Sequence, residues 1–382
     1  MSIITRRDLM KGTLAAITGT GATSVLPAAA SGTQTNPAAG ERKNKIMFAL
    51  MAGSGDLQTL GLQMGVTHVI TGARGLRSGG SVDEYAAALQ RQIDDYARTG
   101  LKIAGFEGPP VNHERIKLGG EGRDQDIEDF KNAIIAMSQV GLDMICYNWM
   151  VNEGWTRTST SVPERGGALT SEFDIEAYKN RASKIGGGGM GFGDKGGASR
   201  GITEEQVWTN LEYFLKAVIP VADKYKVKMA LHPDDPPVPM LGNNARILTS
   251  AANFRKIMDM VPSPMNGITF CQGNFKLMGE DIYVLAEEWC KARKIFFVHF
   301  RDVEGTKEKF REKFHDNGLT DMARMMKIYS DNGFDGPMRP DHAPAMGSET
   351  QGGRSSGYGS VGKVFAIGYM IGLCQAQGIP YE

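Results

Sequence analysis

From about residue 44 onward, short apolar runs bounded by glycine, proline or polar residues alternate with longer amphipathic stretches. This alternation is typical of repeated βα units, in which each buried strand is followed by a covering helix. Eight such runs predict an α/β fold, a single-domain (β/α)8 TIM barrel, rather than an open sheet. The predicted strands are residues 46–50, 67–71, 101–106, 143–147, 227–231, 267–270, 295–300 and 337–340.

A long insertion, residues 151–201, separates the fourth predicted strand from its helix, and it contains the Gly-rich run 185–197. Plain flexibility is the first interpretation of such a run. A long loop at the strand ends of a barrel is also a candidate lid. A phosphate-binding loop would need a lysine followed by Ser or Thr and a strand directly before it, and this segment has neither.

The first thirty residues differ from the rest of the chain. Arg6 and Arg7 precede a weakly apolar Gly/Ala/Thr stretch that ends in Pro27 and the alanines 28–30. The segment resembles a twin-arginine export signal with a small-residue cleavage site, and the alternative is a disordered basic leader. We therefore predict an export signal at 1–30, a linker at 31–43, a barrel at 44–382, and a periplasmic or secreted protein.

Composition narrows the choice of partners. Lys plus Arg equals Asp plus Glu at 43 each, so the overall charge attracts neither nucleic acid nor acidic lipid. No apolar run approaches the roughly 20 residues that span a bilayer, so we expect no membrane association after signal removal. The four cysteines lack a CxxC pair and are too scattered for a disulfide framework. A small-molecule ligand fits best, and homo-oligomerisation is left open.

Four residues that can bind a metal lie at the ends of four consecutive predicted strands: His232, Cys271, His299 and Asp341. In a barrel these positions converge on the C-terminal face, where active sites lie. A lone Cys usually packs in a core and a lone His is usually a satisfied polar residue, but four in register favour a metal centre. Two imidazoles, a thiolate and a carboxylate suit one divalent ion, with manganese, iron and zinc all allowed.

Short motifs around these positions resemble the mannonate dehydratase family, from about residue 108 to residue 378. The resemblance implies a Mn²⁺ or Fe²⁺ ion held by His232, Cys271, His299 and Asp341, and loss of water from a hexonic acid to give a 2-keto-3-deoxy acid. The motifs are His-Pro-Asp-Asp-Pro-Pro at 232–237, Cys-Gln-Gly-Asn at 271–274, His-Phe-Arg at 299–301, Arg-Pro-Asp-His at 339–342, Ile-Lys-Leu-Gly at 116–119, Cys-Tyr-Asn-Trp-Met at 146–150, Trp-Thr-Arg-Thr at 155–158 and Gly-Tyr at 357–358.

The resemblance also implies catalytic roles. Removing a proton next to a carboxylate creates a dianion that needs a cation and hydrogen-bond donors for stabilisation. His342 and Tyr358, beside Asp341, are candidates for moving protons, and which is acid and which is base stays open. Arg301 could bind the substrate carboxylate as a fork. Further residues on this face, which could bind substrate or equally be solvated loop, are His113, Lys117, Asn148, Trp155, Arg157 and His315.

The N-terminal part departs from the family pattern. The family's aromatic-Gly segment and His-rich segment are replaced by residues 49–53 and 71–76, which predicts a partly rebuilt substrate pocket. One rival interpretation is a metal-dependent sugar isomerase or epimerase of the xylose-isomerase type, although Cys271 argues against it. The other is an exported barrel that binds a sugar or a metal without turnover, against which the presence of both His342 and Tyr358 argues.

Overall fold

A computed structural model describes residues 45–51, 55–180, 185–186, 201–351 and 357–382. The predicted export signal at 1–30, the linker at 31–43 and most of the Gly-rich run at 185–197 lie outside the described residues. The barrel strands are β1 (Met47–Met51), β2 (His68–Thr71), β3 (Lys102–Glu107), β4 (Met144–Asn148), β5 (Lys228–His232), β6 (Asn266–Cys271), β7 (Ile295–Phe300) and β8 (Pro337–Pro340).

These strands form a closed parallel barrel in which each strand pairs with the next along the chain and β8 pairs with β1. The predicted fold class is therefore confirmed, and each predicted strand ends within one residue of the observed one. Side chains from five strands, including Ala49, Ile70 and Phe297, form a small apolar cluster of their own. The larger cluster mixes strand and helix residues, because alternate positions of a strand point to opposite faces.

Helices cover the outside of the barrel. The capping boxes Ser81–Glu84 and Thr203–Gln206 start two of them, at positions where side chains satisfy the free backbone N–H groups. No helix within the described residues is long and apolar enough to cross a membrane. The helices are α1 (Gly55–Gln63), α2 (Val82–Ala97), α3 (Glu114–Leu118), α4 (Arg123–Gln139), α5 (Ile175–Lys179), α6 (Glu204–Tyr225), α7 (Ala251–Met260), α8 (Gln272–Leu277), α9 (Ile282–Lys291), α10 (Met322–Asp331) and α11 (Ser360–Gln377), with short 3₁₀ turns at Arg165–Gly167 and Gly347–Thr350.

The insertion after β4 contributes to a second sheet, which we call the rim sheet. Its antiparallel strands are, in spatial order, Val303–Thr306, Lys309–Glu312, Leu169–Asp174 and Ser159–Pro163. The first two form a hairpin after β7, so two distant segments meet here. Much of the described insertion is thus regular structure. Two small two-stranded sheets pair Thr156–Arg157 with Ile185–Gly186 and Met240–Leu241 with Asn244–Ala245.

The C-terminal residues are fastened to the start of the first strand. The backbone N–H of Ile46 donates to the carbonyl of Pro380 at 3.0 Å, and that of Phe48 donates to Glu382 at 2.7 Å. The N–H of Glu382 returns a bond to the carbonyl of Ile46 at 2.9 Å. The described chain therefore begins and ends at the same end of the barrel, where the strands start.

Candidate active site

The four predicted metal ligands lie together at the carboxyl ends of β5 to β8. His232 and Cys271 end β5 and β6, His299 lies in β7, and Asp341 directly follows β8. The Nε2 atom of His232 is 3.2 Å from Nδ1 of His299, which is 3.5 Å from Oδ2 of Asp341. Cys271 Sγ is 3.9 Å from the same carboxylate oxygen. The strand-end positions thus converge on one small volume.

Neighbouring groups orient two of these ligands in a way that fits a metal. His232 Nδ1 is 2.7 Å from the carbonyl oxygen of Pro233, which can only accept, so Nδ1 carries the proton and Nε2 keeps its lone pair. The guanidinium of Arg301 donates from Nε to the sulfur of Cys271 at 3.2 Å. This contact fixes the position of the sulfur beside Asp341.

Asp341 is held as a carboxylate by cations on two sides. Its Oδ1 is 2.9 Å from Nη1 of Arg339, and its Oδ2 is 3.0 Å from Nε of Arg301. Burial alone would raise the pKa of this carboxyl, but the charges of His342, Arg339, His299 and Arg301 outweigh burial and hold the pKa well below its ordinary value. Asp341 is therefore ionised and ready to bind a cation.

His342 links a carboxylate to a phenol. Its Nδ1 is 2.8 Å from Oε1 of Glu312, and its Nε2 is 3.0 Å from the hydroxyl of Tyr358. Burial opposes ionisation of Glu312, yet the charges of Arg301 and His342 lower its pKa. Glu312 is therefore a carboxylate that accepts a hydrogen bond from Nδ1–H of His342. Burial, followed by the charge of Asp341, raises the pKa of Tyr358, which keeps the phenol protonated. With Nδ1 donating to Glu312, the Nε2 atom of His342 faces the Tyr358 hydroxyl.

Arg301 is fully engaged by the protein. Its Nη1 donates to both oxygens of Glu312 at 2.7 Å, and its Nη2 donates to Asp235 at 3.0 Å and to Asn274 at 2.7 Å. Its Nε faces the metal ligands, as described above. With every donor engaged, this geometry disfavours the predicted role as a fork for the substrate carboxylate, and it makes Arg301 a support for the site.

Arg157 plays a similar part on the opposite side of the same carboxylates. Its Nη1 donates to Asp235 at 2.6 Å, and its Nη2 contacts both Asp235 and Glu312. The side chain is fully buried. Both arginines therefore hold Glu312 in place, and their terminal nitrogens are committed to protein carboxylates.

Asn148 and Trp155 line the pocket above the metal ligands. The amide oxygen of Asn148 accepts from the backbone N–H of Met150 at 3.1 Å and lies 3.5 Å from Nζ of Lys117, which fixes the orientation of the amide. Its Nδ2 and the indole N–H of Trp155 are buried without a partner among the described residues. Buried donors are normally paired, so both point to a ligand.

The three remaining predicted residues are buried, and the lining of the pocket in the described part of the chain does not include them. Lys117 donates to Glu114 and to the carbonyl of Met150, each at 2.9 Å, and burial lowers its pKa. Burial and the charge of Lys117 hold the pKa of His113 well below its usual value. Burial likewise lowers the pKa of His315 to about 4. Their role in substrate binding stays a prediction.

Several functional neighbours were missed by the sequence analysis. Glu107 ends β3, so the strand-end rule applied to acidic residues would have found it. Asp235 lies inside the His-Pro-Asp-Asp-Pro-Pro motif, so the motif itself could have identified it as a site residue. Glu312 lies on a short strand of the rim sheet, and no periodicity marks it. The described lining of the pocket consists of Glu107, Cys146, Tyr147, Asn148, Met150, Trp155, His232, Asp235, His299, Asp341, His342 and Tyr358.

Comparison with known proteins agrees with this geometry. A family model described as D-mannonate dehydratase (UxuA) matches residues 53–379. The chain belongs to the mannonate dehydratase family. It is 34% identical over 307 residues to mannonate dehydratase 2 of Halalkalibacterium halodurans, covering 77% of this chain and 87% of that protein. It is 33% identical over 303 residues to the mannonate dehydratase of Streptococcus equi subsp. zooepidemicus, covering 75% and 81%.

Solved structures support the same assignment. Mannonate dehydratase from Streptococcus suis serotype 2 superimposes with a TM-score of 0.71 at 26% identity, covering 89% of this chain and 96% of that one. A xylose isomerase domain protein from Planctomyces limnophilus, at 14% identity and a TM-score of 0.51, shares the fold alone. Membership of the mannonate dehydratase family makes this protein a hydro-lyase, a metal-dependent enzyme that dehydrates a sugar acid.

Proposed function

We propose that this enzyme removes water from D-mannonate or a close epimer, and that one Mn²⁺ or Fe²⁺ ion serves the reaction. The observation that carries the proposal is the convergence of His232, Cys271, His299 and Asp341 within a few ångströms of one another, beside a second set of residues that can move protons. The substrate class, a hexonic acid, is taken from the mannonate dehydratases to which the chain is similar.

The four residues would hold the ion through two imidazoles, a thiolate and a carboxylate. This mixture of softer and harder donors suits a divalent first-row metal, with the carboxylate favouring manganese and the thiolate and imidazoles favouring iron. When bound, such an ion supplies positive charge that polarises substrate oxygens and stabilises negative charge next to the carboxylate.

Proton movement is assigned to His342 and Tyr358. Dehydration takes a proton from the carbon beside the carboxylate and gives a proton to the departing hydroxyl, so the site needs an acceptor and a donor. The neutral imidazole of His342 offers a lone pair at Nε2, and Tyr358 offers a hydroxyl proton 3.0 Å away. Glu312 accepts the hydrogen bond from Nδ1–H of His342, and its negative charge stabilises His342 when the imidazole becomes cationic.

Substrate hydroxyls are assigned to the two unpaired donors of the pocket. Asn148 Nδ2 and Trp155 Nε1 are buried, and both residues line the pocket. A polyhydroxy acid satisfies such donors with its oxygens, whereas an apolar ligand would leave them unpaired. Because residues 49–53 and 71–76 depart from the family pattern, we include epimers of mannonate in the substrate range.

The test is metal analysis of anaerobically purified protein, together with an assay for 2-keto-3-deoxy acid formation from a panel of hexonic acids. We expect one manganese or iron ion per chain and product from mannonate or an epimer. Cys271→Ser should lose both, whereas Cys290→Ser, which alters a buried cysteine of α9, should keep both. A bound metal without keto-deoxy product from any acid would favour an isomerase. Absence of metal would refute the metal centre.

We also propose that residues 1–30 direct export through the twin-arginine route. Support comes from the order of Arg6-Arg7, the weakly apolar stretch and the alanines 28–30. The test is fractionation of cells that express the full chain or the Arg6→Lys/Arg7→Lys variant. We expect the wild-type protein in the periplasm or medium and the variant inside the cell. Equal distribution of the two would contradict the proposal.

A further inference from the structure

A buried ion pair lies directly behind the metal ligands. Arg339 in β8 donates to Glu107 at the end of β3, from Nε at 2.9 Å and from Nη2 at 2.7 Å. Both side chains are buried. Because β3 and β8 are separated by β2 and β1 in the barrel, this pair reaches across the interior. Nothing in the proton-transfer scheme uses it.

Each member of the pair faces one metal ligand. The third nitrogen of Arg339, Nη1, lies 2.9 Å from Oδ1 of Asp341. Glu107 places Oε2 at 3.5 Å from Nε2 of His299. The other ring nitrogen of His299, Nδ1, is the one that faces His232 and Asp341. A histidine that binds a metal through one nitrogen usually has its other nitrogen protonated and facing an acceptor, and the carboxylate of Glu107 is the acceptor nearest to Nε2 in these contacts.

The alternative is a second metal site at this position, and the contacts of its residues argue against it. Glu107, Cys146 and His299 also lie close enough together to bind an ion. However, the guanidinium of Arg339 contacts both oxygens of Glu107, and its positive charge would repel a second cation there. The sulfur of Cys146 accepts from the hydroxyl of Thr269 at 3.1 Å, and the side chain packs in the small apolar cluster inside the barrel. Neither group is available in the way that a ligand must be.

We propose that Glu107 and Arg339 are positioning residues that set the metal affinity of the site. Glu107 faces the Nε2–H group of His299 and so leaves the Nδ1 lone pair for the ion. Arg339 contacts both Glu107 and the ligand Asp341 and holds the two carboxylates in place. The inference rests on the proposed metal centre, but it is independent of which sugar acid is the substrate.

The test is the dissociation constant for Mn²⁺, measured by chelator competition on full-length, metal-stripped protein. Glu107→Gln keeps the size of the side chain and removes the charge that favours the Nε2 proton. We expect its dissociation constant to rise about 10- to 100-fold, the usual effect of removing such a partner. The control is Asp129→Asn, a buried carboxylate of α4 that bonds Ser78 and Gly79 far from the ligands and should leave metal binding unchanged.

A second variant guards against misfolding. Glu107→Gln leaves Arg339 without the carboxylate of Glu107, so Glu107→Gln/Arg339→Met removes both charges. We expect at least the same loss of affinity in a folded protein, because Asp341 also loses its contact with Arg339. A folded Glu107→Gln or double variant with a dissociation constant within about threefold of wild type would overturn the inference. Two ions in wild type and one in Glu107→Gln would replace it with a second metal site. Wild-type protein that binds no Mn²⁺ would overturn the metal centre itself, and this inference with it.

Discussion

Charged side chains around the pocket are matched so that a divalent cation completes the balance. With Cys271 counted in the thiolate form that binds a metal, four carboxylates and one thiolate face three guanidinium groups, and the formal charge is minus two. A divalent ion brings this to zero, which makes the buried cluster tolerable in a low-dielectric interior. The groups counted are Asp235, Glu312, Glu107, Asp341 and Cys271 against Arg157, Arg301 and Arg339.

Glu312 provides a test of the proposed proton path. Glu312→Gln keeps the shape of the side chain but removes the charge that favours the Nδ1 proton of His342 and stabilises its cation. We expect kcat to fall by about 10²- to 10⁴-fold, as when a carboxylate behind a catalytic histidine is neutralised, with metal content retained. Steady-state kinetics and metal analysis measure both quantities.

The matched control is Glu304→Gln, on the same hairpin but partly exposed and paired with Arg311. It should leave kcat within about twofold of wild type, because surface ion pairs contribute little. Equal kcat values for Glu312→Gln and wild type would remove His342 from the proton path as drawn.

The elements differ in how well sequence predicts them. The barrel strands were predicted to within one residue, because each is a short apolar run between polar boundaries. The rim sheet was not predicted, since its strands are short and half of it depends on pairing residues 309–311 with 172–174, far apart in the chain. Such non-local pairing leaves no local periodic signal. The insertion was therefore expected to be a long loop, with flexibility as the first interpretation of its Gly-rich run.

The hairpin of the rim sheet carries Glu312, and its backbone conformation at Gly305 tolerates no side chain. Gly305 has φ +123°, and a Cβ there would lie 2.2 Å from the carbonyl oxygen of Lys309. We expect Gly305→Ala to displace the hairpin and to lower kcat at least about tenfold through Glu312, with a stability loss of about 1–3 kcal/mol from backbone strain. Kinetics and urea unfolding measure the two effects.

Gly279→Ala is the comparison variant. Gly279 has φ +85° but no atom within 4 Å of an added Cβ, and it lies between α8 and α9. It should cost about 1 kcal/mol through the left-handed backbone and leave kcat unchanged. If Gly305→Ala retains full kcat, the hairpin does not control the position of Glu312.

On the scale of the whole molecule, the convergence of the four proposed metal ligands was predictable, and the residues of the proposed proton path were predictable only in part. Four ligands follow consecutive strands, and barrel closure alone brings them together. Glu312 comes from the rim sheet, and its contact with His342 depends on that unpredicted layer. Lys117, His113 and His315 were predicted on this face because they follow strands, and the structure buries all three outside the described lining of the pocket.

Lys363 links global stability to pH. This buried lysine of α11 lies over the ring of Tyr358, and burial, followed by the charge of Arg339, lowers its pKa to about 7. In the unfolded chain its pKa is about 10.4. Between these values the unfolded state binds the proton and the folded state does not, so the residue's contribution to the free energy of unfolding rises with pH.

We therefore compare wild type with Lys363→Met by urea unfolding at pH 6.5 and pH 9. Across this range the difference in the free energy of unfolding should shift by about 1–3 kcal/mol in favour of wild type. The exposed Lys216→Met should show no such shift. A pH-independent difference for Lys363→Met would mean that Lys363 is fully charged in the folded protein.

The bonds between Ile46 and the last residues of the chain determine how the enzyme can be attached to anything else. Residues 45 and 382 both leave the barrel at the end where the strands start, and the pocket opens at the end where they finish. A barrel coupled to a support at residue 45 or at residue 382 would thus hold the pocket mouth away from the support and toward the solution. Its access to substrate would then be the same for both attachment points.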